Sequence, residues 1–144
     1  MKRIVIDTNI VVSAAIGNGY SKRILKKIIF DDTINICIST EIVKEYDRVS
    51  NYLRIQKKYP LFKEEMDDMI LSLKEIARVY FPTQSFSILK DISDNIYLDL
   101  DLAHEAKAHY IITGNKNDFS IAQFEQTKIV SPKEFCELYE TNNL

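Results

Sequence analysis

Five short strand-like runs, rich in β-branched or aromatic residues, recur along this sequence, and segments with helical spacing fill the intervals between them. The strand-like runs are residues 2–6 (KRIVI), 34–39 (INICIS), 77–81 (ARVYF), 109–113 (HYIIT) and 127–131 (TKIVS). Helical periodicity covers 10–16, 21–30, 40–53, 63–75, 94–106 and 132–140. Buried strands separated by helices require βαβ crossovers, which put helices on both faces of a parallel sheet. The order therefore predicts an α/β fold: a three-layer α/β/α sandwich around a central, mostly parallel sheet of about five strands. A chain of 144 residues is expected to form one domain over 1–144, because that length buries a sizeable core without disulfides or metals.

Composition narrows the class. Hydrophobic residues make up 46% and charged residues 28%, with three glycines and three prolines, which excludes a disordered or low-complexity chain. No apolar run approaches the roughly 20 residues of a membrane helix, and the opening MKRIVIDTN places an acid where a signal peptide would stay apolar. A cytoplasmic protein without membrane contact is expected. Cys37 and Cys136 lack metal-ligand spacing and read as small hydrophobes. A net charge of −2 supplies no global attraction to nucleic acid, so a polyanionic substrate would have to be handled locally or through a bound cation.

The acids fall where such a sheet binds ligands, at the carboxyl ends of its strands. Asp7 ends the first strand; capping the next helix is its ordinary reading, and holding a functional group on a rigid support is the alternative. In TEIVKEYDRV and the residues that follow it, Ile42, Val43, Tyr46, Val49 and Leu53 form one helical stripe, with Glu45 at its border and Glu41 turned toward solvent. In DISDNIYLDLDLAHEA, Ser93 can cap a helix with Asp94 in its first turn. Asp91 adds a carboxylate at the helix mouth, and Asp99 falls on the apolar face among Leu98, Leu102, Ala103 and Ala106, where an acid needs a partner or a cation. In IITGNKNDF, Thr113, Gly114 and Asn115 end a strand, with Asp118 close behind.

Asp7, Glu45, Asp94 and the Asn115/Asp118 pair thus fall in four chain regions able to converge on one sheet edge. Clustered carboxylates repel one another unless a hard divalent cation sits among them. All-oxygen donors favour Mg²⁺ or Mn²⁺, and neither His104 nor His109 is placed to contribute. Such ions activate water and stabilise charge on phosphoryl oxygens, which is nuclease chemistry.

Taken in order, IVIDTNIVVSA, ISTEIVKEYDRV, DISDNIYLDL, HYIITGNKNDF and IVSPKEF resemble the PIN domain (PilT N-terminus), and most of all the VapC-type toxins of bacterial toxin–antitoxin systems. The resemblance implies an α/β/α nuclease that uses Mg²⁺ or Mn²⁺ to cut single-stranded or loop RNA. It implies Asp7, Glu45 and Asp94 as catalytic metal ligands, with Thr8 and Asn9 supporting the first of them. Many members carry an aspartate directly after TG; here Asn115 stands in its place, with Asp118 as the substitute. Asp91 and Thr113 are supporting candidates. A cognate antitoxin and a homodimer follow from the resemblance alone.

Two basic clusters are candidate RNA contacts. Lys22, Arg23, Lys26 and Lys27 share a helix, where a solvated face explains them as well. Arg54, Lys57 and Lys58 lie beside Tyr59 at a helix end, and Lys116 is the basic residue nearest the acids. Three other functions compete: an RNA-processing nuclease that is not a toxin, a PIN-like module that only binds RNA or protein, and a phosphoacceptor or phosphatase. The last needs a second acid pair near the first strand and a strand-end lysine, neither of which is found.

Overall fold

A computed structural model describes residues 1–86, 96–115 and 121–144. Its elements run β1 (Lys2–Ile6), α1 (Thr8–Ile16), α2 (Tyr20–Ile28), β2 (Ile34–Ile38), α3 (Thr40–Ser50), α4 (Leu53–Lys58), α5 (Phe62–Ile76), β3 (Arg78–Val79), α6 (Ile96–Ala106), β4 (Tyr110–Ile112), β5 (Gln123–Phe124), β6 (Thr127–Val130) and α7 (Pro132–Glu140). The six strands form one sheet in the order β3-β2-β1-β4-β6-β5. Every pairing is parallel except β5 with β6.

Crossover handedness places the layers. Chain steps from β1 to β2 and from β2 to β3 move one way along the sheet, and the step from β3 to β4 returns across it. Right-handed connections then put α1 to α5 on one face and α6 on the other. The packing agrees: α1 contacts α2, α3 and α5, and α2 contacts α7, whereas α6 lies on β1, β2 and β4 and, of the helices, meets α3. Between the layers Ile4, Val5, Ile6, Ile111 and Ile112 are fully buried, as strands covered on both faces require. The expected three-layer α/β fold is the one observed.

Three local expectations need correction. The helix expected over 40–53 stops at Ser50, and a second short helix begins at Leu53. Leu53, assigned to the apolar stripe of the first helix, is 67% exposed. The strand expected at 77–81 keeps only two paired residues, because it lies on the sheet edge with a single neighbour. A sixth strand, β5, forms a tight hairpin with β6, and Glu125 adopts a φ of 54° to make the turn. No glycine marks that turn, so the sequence carries no signal for it.

No helix among the described residues is long and apolar enough to cross a membrane. Cys37 and Cys136 are buried and unpaired, as small hydrophobes would be. The basic run on α2 is a solvated face, with Arg23 and Lys27 both pairing to Glu140.

Candidate functional site

Strand order reverses beside β1, which has β2 on one side and β4 on the other. The crevice at the carboxyl ends of β1 and β4 is therefore the topological switch point, where open α/β sheets bind ligands. Asp7 directly follows β1 and Thr113 directly follows β4. Their backbones are tied there, since Asp7 N–H donates to the Ile112 carbonyl at 3.0 Å.

Asp7 occupies the N-cap position of α1, yet its carboxylate makes no capping hydrogen bond. The chain caps helices conventionally elsewhere: Ser39 accepts from Ile42 N–H, and Ser131 forms a reciprocal capping box with Glu134. The Asp7 carboxylate is directed elsewhere, with Oδ2 accepting the Thr113 hydroxyl at 2.6 Å. Thr113 Oγ1 in turn accepts from Asn115 N–H at 3.0 Å, and Asn9 Oδ1 accepts from Gly114 N–H at 3.1 Å. Thr113 is fully buried, so its hydroxyl is held in this chain of bonds. Thr8 and Asn9, both half-buried, open α1. Asp7, Asn9, Thr113, Gly114 and Asn115 thus form one connected group.

Glu45 arrives from α3. The neighbouring Tyr46 is fully buried and donates its hydroxyl to the Ile6 carbonyl at 2.6 Å, which pins α3 to the residue preceding Asp7. The Glu45 side chain is 10% exposed. Its two oxygens accept three bonds from Arg48: Nη2 at 2.7 and 2.8 Å and Nε at 2.9 Å. The Arg48 side chain, 52% exposed, also bonds the Tyr52 hydroxyl.

Asp99 completes the described cluster from α6. Only 3% of it is exposed, and its Oδ2 has no hydrogen-bond partner among the described residues. Burial first, then the charge of Asp7 and a hydrogen bond with it, then the charge of Glu45, push the Asp99 pKa well above the usual carboxylate range. The apolar-face position made Asp99 conspicuous in the sequence as an acid lacking a partner; the structure puts it against Asp7. Asp101, two residues on, is also buried but is satisfied by Phe86 N–H at 2.7 Å.

The donors present suit a hard divalent cation, being carboxylate oxygens with one buried and unpartnered. Among the described residues no three ligating side chains stand in a ready-made metal cage. Asp91, Asp94, Lys116 and Asp118, all expected near this edge, lie outside the described residues.

The remaining candidates stand apart. Arg54, Lys57 and Lys58 are exposed on α4, which buries no residue at all, and Lys58 Nζ lies 5.6 Å from the Tyr59 ring centroid. His109 is structural, its Nδ1 accepting from Arg3 N–H at 2.9 Å. His104 pairs with Glu125 at the β5–β6 turn and meets the Phe86 ring edge-on. The one sequence signal for Arg48 is its spacing, a basic residue three positions after Glu45 on a helix.

Comparison with known proteins agrees with the architecture. The uncharacterized protein MJ1680 of Methanocaldococcus jannaschii is 31% identical to this chain over 149 aligned positions, covering 96% of this chain and 92% of that protein. The family model described as the PIN domain matches residues 3–117. That span runs from β1 through the Asp7–Thr113 junction and just past Asn115, and the chain belongs to the PIN-domain family.

Proposed function

We propose that this protein is a divalent-metal-dependent endoribonuclease whose ligands are Asp7, Glu45 and Asp94, with Asp99 against Asp7. PIN domains are generally metal-dependent nucleases acting on nucleic acid, and the finer assignment rests on the chemistry of the cluster. The observation that carries it is the Asp7–Asp99 contact: a carboxylate that declines to cap its helix lies against a buried acid with an unpartnered oxygen. Two acids in contact at a switch point are costly unless a cation joins them.

Mg²⁺ or Mn²⁺, when bound, supplies a polarised water and charge stabilisation at the scissile phosphoryl group. The chain's own residues do the holding. Thr113 fixes one oxygen of Asp7. Tyr46 anchors α3, the helix that carries Glu45, on β1. Asn9 holds the Gly114 amide and so braces the loop that carries Asn115. Asn115 can offer a carbonyl oxygen but no charge, which favours one fully charged metal site over two unless Asp118 contributes.

We further propose that the protein acts as the toxin of a toxin–antitoxin pair, as a homodimer restrained by a cognate antitoxin. The toxin role would be seen as growth arrest on expression that Asp7→Asn abolishes. Asn115 is the one feature favouring a second reading, a PIN module that binds RNA without cutting it. The discriminating experiment incubates purified protein with a long single-stranded RNA and Mn²⁺, Mg²⁺ or chelator, beside folded Asp7→Asn and Asp94→Asn variants. Metal-dependent cleavage lost in both variants supports the nuclease; RNA binding without cleavage under every condition supports the module.

A further inference from the structure

We propose that Arg48 is a phosphate-binding residue for the RNA strand, held on Glu45 until a divalent cation displaces it. The proposal rests on the metal-site reading above. Its starting point is a conflict of partners. Both Glu45 oxygens are engaged by the Arg48 guanidinium, and the same oxygens are the ones a cation at Asp7 and Asp99 would need. Glu45 is close enough to Asp99 for its charge to be felt there. Arg48 already makes three bonds to the carboxylate, about three of its four lone-pair sites, and a divalent ion placed on Glu45 repels the guanidinium, so filling the site loosens Arg48.

The exchange needs a replacement partner for Glu45, which a cation supplies. The ion pair spans i,i+3 on one helix, with Arg48 52% exposed and Glu45 10% exposed, so the guanidinium can move out into water while the nearly buried acid keeps a counter-charge. What Arg48 would do next follows from its surroundings. The released guanidinium presents a planar fork of donors suited to a phosphate, one helical turn outward from the acids. Beside it, Tyr52 is 39% exposed, and the guanidinium carbon lies 5.3 Å from its ring centroid. An arginine next to an exposed aromatic ring is the pairing that grips single strands, by phosphate contact and base stacking together. Metal uptake and strand binding would then be coupled through Glu45, each favouring the other.

The coupling gives effects of opposite sign, which a purely structural ion pair would not. The test compares wild-type protein with Arg48→Gln and Arg48→Lys. Mn²⁺ binding is measured by calorimetry without RNA, and binding of a labelled single-stranded oligonucleotide by anisotropy with Ca²⁺ present, its integrity checked on a gel. Arg48→Gln should bind Mn²⁺ about threefold to tenfold more tightly, because it removes a competing partner of Glu45. It should bind the oligonucleotide about fivefold to tenfold more weakly, and the slope of log K against log salt should shrink by about 0.7, one single-strand phosphate contact. Arg48→Lys should retain part of the salt slope while still binding Mn²⁺ more tightly. Unchanged or weaker metal binding in Arg48→Gln, or an unchanged salt slope, overturns the proposal while leaving the metal site standing. Wild-type protein that takes up no cation overturns both, and the two failures are thereby distinct.

Discussion

Thr113 and Asp7, 106 residues apart in sequence, meet across the switch point with the threonine hydroxyl donating to Asp7 Oδ2 at 2.6 Å. The bond joins the carboxyl ends of two adjacent parallel strands, and it holds the Asp7 carboxylate at the switch point. Replacing Thr113 by valine keeps the β-branched shape and removes the donor. Thr113→Val should cost about 1–2 kcal/mol of stability, since the Asn115 amide loses its acceptor at the same time. Metal affinity should fall about tenfold, as for other partners that orient a ligand, and Thr113→Ser should restore it. Denaturant unfolding and calorimetry read the two effects.

Tyr46 is the second anchor. Its phenol is fully buried, and burial, with the charges of Asp99 and Asp7, raises its pKa well above the ordinary value, so it remains a neutral donor to the Ile6 carbonyl at any working pH. Tyr46→Phe keeps the ring and leaves that carbonyl without this partner. A loss of about 1–2 kcal/mol in unfolding free energy is expected, together with weaker metal binding as α3, which carries Glu45, loses its tie to β1.

These two anchors also mark how far the sequence could be read. Ile4 to Ile6 and Tyr110 to Ile112 were legible because a strand buried on both faces must be continuously apolar, and the polar residue after each had to land on the binding edge. The break at Asn51 and Tyr52 was not legible, because Leu53 continues the i, i+4 stripe while the chain has already turned away. The β5 turn was hidden for a different reason: Glu125 takes a positive φ in a segment with no glycine or asparagine to announce it. Asp99 stood out as an acid on an apolar face, but helical spacing alone could not say that its neighbours would be Asp7 and Glu45. That information lies in the order of strands, which brings the α6 face over β1.

Asp99 makes metal-free stability depend on pH. Its pKa is raised in the folded state, so the folded protein holds that proton more tightly than the unfolded chain does. The corresponding stability is fully present below the ordinary carboxylate pKa and is lost as pH rises through the folded value. Asp99→Asn should abolish this part of the slope and raise the melting temperature of the metal-free protein at pH 8. Thermal unfolding from pH 5 to pH 8 in chelator checks the sign: the wild type should lose ground to the variant as pH increases.

The cysteines should be chemically silent in the folded protein. Burial pushes the Cys37 thiol up to about 11 and raises Cys136 as well, so little thiolate exists at neutral pH. Disulfide reagents should react with neither residue until the protein unfolds. Alkylation followed by mass spectrometry across a denaturant series should show both labelled in step with global unfolding.

The central claim is that the carboxylates gathered after β1 and on α6 bind a divalent cation. Calorimetric titration of Mn²⁺ into wild-type protein, Asp7→Asn and Asp99→Asn, each first shown to be folded, tests it most directly. Saturable binding in the wild type, paired with a rise in unfolding free energy of about 2.7 kcal/mol at a hundredfold excess over Kd, is expected. Asp7→Asn should abolish both effects, and Asp99→Asn should weaken them. Equal binding and equal stabilisation in all three proteins would contradict the account.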